Sequence, residues 1–441
     1  MTDKNSGFLE RVFHISASGS TPRREFLAGL TTFVSMCYLI FVVPGMLADA
    51  GIPRGEAVCA TIWITVLATL LMGLWARFPV GVAPGLGISA FFAYYICGPA
   101  GYTWQTGLGA VFISGIVFLL LTVTRIRQMI IDAVPMDLKY AIIVGIGAFI
   151  AFIGMKNCGL IVANSSTFVA LGDLGDARVL LALAGVAIIG ILMALNITGS
   201  IIIGILAVSI VALPLGLIEL PEGSIFSASL PWPGELFGKL DIRGALEHGL
   251  FSIIFTLTMV DLFDNMGVLI ALAQKAGFIQ PDGHIRNLDR ALVSDSVATM
   301  GSAVLGATTS TSYLESATGV VAGGRTGLTA VVIACLFFLC LFFTPLVALI
   351  PSFATAPALI IVGALMMQEA VRINFEDFTV ALPAFLTIIT MPLTFNIATG
   401  FGFGFISYVI IKAGSGRMRE VSPFMTAIAT CFAVNFAMRM Q

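Results

Sequence analysis

The chain has 441 residues, of which 58% are hydrophobic and only 10% charged, and its formal net charge is −2. Because soluble domains carry about a quarter charged residues, this composition excludes an ordinary soluble protein and indicates a polytopic membrane protein. Charge runs that would bind nucleic acid are also missing from the sequence.

Taken in chain order, residues 1–25 are predicted to form a cytoplasmic N-terminus, since they lack the apolar stretch and cleavage site of a signal peptide. Apolar segments long enough to cross about 30 Å of hydrocarbon then recur almost to the end of the chain. We predict an all-α fold with fourteen spans, at 26–48, 56–76, 82–97, 104–124, 138–157, 178–195, 198–217, 249–273, 291–306, 310–322, 326–348, 354–370, 376–395 and 396–412.

The longest loop, residues 218–248, divides these spans into two groups of seven, at 26–217 and 249–412. An odd number of spans reverses the side from which the second group enters, so an inverted repeat is predicted. If the N-terminus lies in the cytoplasm, almost every loop on the cytoplasmic side of the plasma (inner) membrane carries basic residues. The C-terminal segment, 413–441, is predicted to be interfacial, and whether 421–439 spans the membrane is left open.

The third span of each half is short and interrupted. Residues 82–97 contain Pro84 and Gly85, and residues 307–324 contain an almost continuous run of hydroxyl side chains up to Ser316. Neither stretch can cross the bilayer as a regular helix, so each is predicted to be part extended chain and part half-helix. Paired interrupted spans of this kind indicate the substrate site of a transporter.

Acidic residues within the spans are few and clustered. Asp261 and Asp264 lie at i and i+3 in the eighth span, Asp295 lies early in the ninth, and Glu315 lies in the second interrupted span. Four carboxylates without a basic residue in the same spans cannot all be charged at low dielectric, so at least one is expected to bind a proton near neutrality. Carboxylates can also accept hydrogen bonds from the N–H groups of a planar heterocycle, on which Phe91 could stack.

These residues favour a carrier driven by an ion gradient over an enzyme. Neither a nucleophile–base pair nor metal-ligand spacing is visible, and we assign no metal site and no cofactor. The expected coupling ion is a proton, and sodium stays an open alternative.

The chain resembles, over essentially its full length, the AzgA-like branch of the nucleobase-ascorbate (nucleobase:cation symporter) transporters, which contains adenine and guanine/hypoxanthine permeases. The matching stretches are residues 19–21, 28–33, 83–87 with 90–92, 260–264, 315–316 and 323–330. What the resemblance implies is a UraA-like fold of two inverted seven-span repeats, arranged as core and gate domains, with short strands in the third and tenth spans. It also implies proton-coupled uptake of purine bases by alternating access.

By the same resemblance, Asp261, Asp264 and Glu315 contact the base or carry the proton, and Asp295 supports them. The predicted proton-coupling set is Asp264, Glu315 and Asp295. The predicted substrate-binding set is completed by Ser89, Phe91, Ser312 and Thr32.

One position departs from the family pattern, because Ser89 stands where asparagine usually precedes Ala-Phe or Ala-Tyr. Serine lacks the second amide donor, so the preferred purine is not transferred from relatives. The alternative functions are an anion carrier or exchanger on the same fold, and a channel or receptor. Whether the protein forms a homodimer is left open. An anion site should avoid carboxylates, which disfavours the first alternative.

Overall fold

The computed structural model describes residues 8–124, 126–218, 226–227, 229–247, 250–280 and 285–438. Predictions for residues 1–7 and for 219–225 of the long loop fall outside this range. The first half contains helices α1 (Phe8–Phe13), α2 (Pro22–Met36), α3 (Leu39–Asp49), α4 (Arg54–Leu71), α5 (Leu86–Phe91), α6 (Trp104–Val123), α7 (Ile126–Ala133), α8 (Met136–Asn157), α9 (Ala177–Ala194) and α10 (Ser200–Ala212).

The second half begins after a short helix, α11, in the long loop. Its elements are α11 (Ile242–Glu247), α12 (Phe251–Ala276), α13 (Leu288–Leu305), α14 (Ser316–Val321), α15 (Gly327–Cys340), α16 (Thr344–Val347), α17 (Ser352–Met366), α18 (Phe378–Thr394), α19 (Ile397–Gly414) and α20 (Pro423–Met438). The strands are β1 (Val82–Pro84), β2 (Ile161–Asn164), β3 (Phe168–Leu171) and β4 (Ser310–Ser312).

The helices coincide with the predicted spans. Within the described ranges, nine helical segments are long and apolar enough to cross a membrane. The remaining predicted spans are shorter, more polar or interrupted: β1 with α5, α10, α13, β4 with α14, and α18. The predicted all-helical membrane fold of fourteen segments is therefore confirmed, while the exact limits of the two repeats, at 217 and 249, stay predictions.

Several helices begin at a polar residue whose side chain accepts a backbone N–H of the first turn. Thr21 caps α2 ahead of Pro22, Asp377 caps α18, and Asn396 caps α19. Such caps satisfy donors that a helix leaves unpaired, which matters most where water is scarce. These residues explain why the chain can turn sharply between adjacent spans.

The segments separate into two packing groups. The core domain contains α2, α4, α6, α12, α13 and α15 together with the interrupted spans, and the gate domain contains α8, α9, α10, α17, α18 and α19. In both halves of the chain, four core segments precede three gate segments. This repeated order is the arrangement expected of two seven-span repeats.

Aromatic side chains join the two domains along α12 and α19. The Phe263 ring of α12 lies 6.1 Å from that of Phe401 and 6.4 Å from that of Phe405, both on α19. The C-terminal helix α20 adds Phe432, whose ring lies 5.3 Å from Phe255 of α12 and 5.8 Å from Phe405. Within the segment 421–439, the helix Pro423–Met438 thus packs on both domains.

Candidate functional site

The two interrupted spans meet through their extended segments. Strands β1 and β4 pair antiparallel, with Ala83 opposite Thr311. Beyond the paired residues, the Gly85 N–H donates to the Thr309 carbonyl at 2.9 Å and the Tyr313 N–H donates to the Gly81 carbonyl at 3.0 Å. Each segment therefore satisfies much of the backbone of the other, which allows irregular chain to persist at membrane depth.

Hydroxyl groups of neighbouring helices complete this backbone pairing. Thr69 Oγ1 lies 3.0 Å from both the N and the O of Val82, accepting from the first and donating to the second. Thr299 Oγ1 donates to the Ser310 carbonyl at 3.2 Å. These hydroxyls of α4 and α13 thus serve the backbone, a role that the composition alone does not distinguish from ligand binding.

Glu315 and Asp264 form the accessible acidic pair of the site. Glu315 immediately precedes α14, and its Oε1 accepts a 2.6 Å hydrogen bond from the Tyr38 hydroxyl. Both Glu315 and Asp264 are half-buried, and their charges act on each other. Two half-buried carboxylates at the crossing of the interrupted spans can hold a proton or accept the N–H groups of a flat ligand.

Ser89 and Phe91 of α5 are engaged with protein groups in this conformation. Ser89 Oγ lies 2.6 Å from Thr308 Oγ1, so the two hydroxyls link the halves of the chain. The Phe91 ring stacks on Tyr95 with centroids 5.2 Å apart and planes at 9°, and only 1% of Phe91 is exposed. A ligand that contacts either side chain would have to displace these partners.

Ser312 and Thr32 are more deeply buried than Asp264 and Glu315. The Ser312 hydroxyl is buried in β4 and has no hydrogen-bond partner in the described ranges. Thr32 is fully buried in α2, where its hydroxyl fills the space next to Gly319 that a Cβ atom would need. This geometry favours a packing role for Thr32 between α2 and α14, although the Thr32 hydroxyl, like that of Ser312, is without a hydrogen-bond partner among the described residues.

Asp261 and Asp295 are more deeply buried than the accessible pair, Asp264 and Glu315. They are 2% and 0% exposed, and Asp261 Oδ1 and both oxygens of Asp295 lack a hydrogen-bond partner in the part of the chain that the structure describes. Their charges act on each other, and Asp264 acts on both. The four predicted acids are thus brought together, but in two layers of different accessibility.

Comparison with known proteins agrees with this arrangement. Residues 23–403 match the family model described as "Permease family". The chain belongs to this permease family. The protein MJ0326 of Methanocaldococcus jannaschii, named as a permease without a substrate, is 47% identical over 97% of this chain and 98% of its own length.

Two relatives with named substrates align over similar lengths. The adenine permease AdeQ of Escherichia coli is 41% identical over 98% of this permease and 96% of its own length. The guanine/hypoxanthine permease PbuO of Bacillus subtilis is 40% identical over 96% of this permease and 99% of its own length. These relatives confirm the family resemblance and identify a transporter, not an enzyme.

Solved structures confirm the fold of this permease. The transmembrane domain of a cyanobacterial bicarbonate transporter, BicA, has a TM-score of 0.62 at 14% identity, covering 83% of this chain and 97% of that domain. SLC26A9 has a TM-score of 0.60 at 11% identity, covering 91% of this chain and 68% of its own. At such identities the likeness concerns the fold alone.

Sequence reasoning did not anticipate two residues of this permease. Tyr38, between α2 and α3, contacts Glu315 although the two are 277 residues apart in sequence. Arg127, one of the basic residues predicted to lie in the inner loops, is 2% exposed. The hydrophobic pattern of Ile126–Ala133 was the available signal, since α7 is amphipathic and too short to span.

Proposed function

We propose that this permease takes up purine bases, coupled to protons, by alternating access across the plasma (inner) membrane, with its N-terminus in the cytoplasm. The observation that carries the proposal is the half-buried pair Asp264 and Glu315 at the crossing of the interrupted spans. Full-length similarity to adenine and guanine/hypoxanthine permeases supports the substrate class. The separation into core and gate domains supports alternating access, in which one moves against the other.

In the proposed mechanism, the base docks with its N–H groups directed at the carboxylates. A protonated acid donates a hydrogen bond and an ionised acid accepts one, so the protonation state decides which faces of the base are recognised. Binding of proton and base together removes unpaired charge from the site before the core moves. Carboxylates in the site disfavour an anion as the cargo, whereas they suit a neutral heterocycle.

Uptake of labelled adenine, guanine, hypoxanthine, xanthine and uracil into cells without their own purine carriers tests the proposal. We expect saturable uptake of one or more purines that stops with an uncoupler and with Glu315→Ala. The control Glu376→Ala, at an exposed surface position, should behave like wild type.

Three outcomes would contradict parts of the proposal. No purine uptake from protein shown to be in the membrane would favour the anion carrier. Uptake that survives the uncoupler and requires sodium would show that the coupling ion is sodium and not a proton. Unchanged uptake by Glu315→Ala would remove Glu315 from the site.

A further inference from the structure

Arg127 is a buried cation for which the proposed transport mechanism has no role so far. It lies on α7, with the guanidinium carbon 4.3 Å from the centroid of the Phe118 ring of α6. Nη1 donates to Thr122 Oγ1 at 3.4 Å, while Nε and Nη2 are buried without a hydrogen-bond partner among the described residues. A buried guanidinium is strongly disfavoured unless an opposite charge compensates it.

The compensating charges come from two other helices. Arg127 interacts electrostatically with Asp295 on α13 and, more weakly, with Asp261 on α12. Helix α6 packs against both α12 and α13, and α7 packs against α12, so the three buried side chains are carried by helices that pack together. Arg127, Asp261 and Asp295 are defined here as the buried triad.

The buried triad differs from the accessible pair in charge balance. With both acids ionised its formal charge is −1, and one added proton makes it neutral. At low dielectric the neutral form is favoured over an unbalanced charge, so the triad is suited to exchange a single proton. The pair Asp264 and Glu315 has no such cation among the interactions described for it.

Asp264 connects the two layers. Its charge acts on both Asp261 and Asp295, and the charge of Glu315 acts on Asp264. Among the described residues, the acids whose charges act on Arg127 are Asp295 and Asp261. A change of charge at the pair is therefore felt by the triad, as coupling of two ligands requires.

We propose that the buried triad is a proton site separate from the substrate pair, with Arg127 as the positioning residue that sets its charge. This inference rests on the proposed proton coupling. It moves Asp261 from the predicted substrate-binding set to the proton site, and it leaves Asp264 and Glu315 to hold the base. Without Arg127 no cation would offset an ionised acid of the triad, which disfavours release of the proton in each cycle.

Purified protein in liposomes tests the proposal with two readouts. The first is exchange of labelled for unlabelled purine at equal pH on both sides, which needs the substrate site but no net proton movement. The second is accumulation of purine driven by an imposed pH gradient. We expect Arg127→Gln to lower accumulation at least about tenfold while exchange falls less than about threefold.

A double variant distinguishes charge balance from structural damage. Arg127→Gln combined with Asp261→Asn leaves one acid and no cation, which restores the wild-type charge of −1. We expect it to regain gradient-driven accumulation relative to Arg127→Gln alone. The control Arg178→Gln, an exposed arginine on α9, should match wild type in both readouts.

Two results would overturn the proposal that the buried triad is a proton site. One is full gradient-driven accumulation by Arg127→Gln. The other is equal loss of exchange and accumulation by Arg127→Gln without recovery in the double variant, which would make Arg127 structural. Failure of the proposed function looks different, because wild type itself would then show no purine exchange or no response to the pH gradient.

Discussion

At the scale of single residues, the orientation of the Glu315 carboxylate depends on the Tyr38 hydroxyl, which donates to it at 2.6 Å. We expect Tyr38→Phe to weaken purine binding by roughly tenfold, since a hydrogen bond to a charged group contributes about 1.5–3 kcal/mol. The expected change is mainly a higher KM for uptake, measured with the preferred purine at fixed pH.

The matched control for this substitution is Tyr408→Phe, which removes the hydroxyl of a buried tyrosine in α19 of the gate domain. It should leave KM unchanged. If Tyr38→Phe had the wild-type KM, the hydroxyl would not support Glu315 in the state that binds substrate.

A second residue-scale feature is the ion-pair network that joins the ends of α18 and α19. Arg417 Nη1 lies 2.8 Å from Asp377 Oδ2, and Lys412 Nζ lies 2.7 Å from Glu420 Oε2. Hydrogen bonds from the Thr379 hydroxyl and then from Arg417 lower the pKa of Asp377 to about 2. Hydrogen bonds from Arg417 and then from Lys412 lower the pKa of Glu420 as well.

A lowered pKa predicts how stability depends on pH. The ionised Asp377 stabilises the fold fully above its ordinary pKa of about 4, and this contribution disappears as the pH falls through about 2. Asp377→Asn should therefore lower the Tm of the detergent-solubilised protein near neutral pH, and the difference from wild type should shrink between about pH 4 and pH 2. Arg417→Gln should show the same trend, whereas a difference independent of pH in both variants would contradict the role of the network.

At the scale of secondary-structure elements, the junction between α14 and α15 is fixed by one buried carboxylate of α2. Glu25 accepts hydrogen bonds from the backbone N–H groups of Arg325 and Thr326, at 3.0 and 3.2 Å, and from Thr329 Oγ1 at 2.5 Å. Gly327 lies at this junction in contact with the backbone of Gly73, where no side chain would fit. The junction holds α14, and with it Glu315, against the first span.

We expect Glu25→Ala to lower the free energy of unfolding by about 3 kcal/mol, because it leaves buried donors unpaired. Glu25→Gln retains one acceptor oxygen and should lose less. Unfolding in mixed detergent micelles with increasing SDS measures both values. An alanine variant as stable as wild type would show that other groups or water satisfy these donors.

The accuracy of the sequence predictions follows the range of the interactions involved. Hydrophobicity is local, so the predicted spans at 104–124 and 310–322 lie within a few residues of Trp104–Val123 and of Ser310–Val321. Interruption by proline, glycine and hydroxyl residues is also local, and it correctly marked both broken spans.

Contacts between distant spans left no such pattern in the sequence. The four acids could be identified because charge within a span is rare, but their division into a half-buried pair and a buried pair depends on how α12 and α13 rotate against α6. The burial of Arg127 has the same origin. A basic residue after a span is ordinarily solvated, and only the packing of α7 reveals that this one is not.

At the scale of the whole molecule, core and gate meet at a polar contact near one membrane face. The Tyr94 hydroxyl of the third span donates to Asp49 Oδ2 at 2.6 Å and accepts from Asn157 Nδ2 of α8 at 3.1 Å. Lys156 Nζ lies 4.6 Å from the centroid of the Tyr94 ring. Asp49 is the last residue of the first span. The contact therefore lies at one end of that span, and Arg24, which approaches Gly323, lies at the other end.

If the core moves against the gate, this contact must break each time the site opens toward the Asp49 face. Asn157→Ala removes one hydrogen bond between the domains, about 1 kcal/mol, and should raise the population open on that face roughly fivefold. With the N-terminus inside, that face is the outer one. The apparent KM for external purine should then fall by up to about fivefold, because the outward-open state that binds external purine is more populated.

Measurement of KM from both sides, in cells and in inside-out vesicles, separates this effect from a change in the site itself. A shift in population lowers KM on the outer side and leaves it equal or higher on the inner side, whereas a change in intrinsic affinity moves both in the same direction. Asn164→Ala, at the exposed last residue of β2, is the control and should change neither value. Equal KM values for wild type and Asn157→Ala on both faces would show that the Tyr94 contact does not close the outer side.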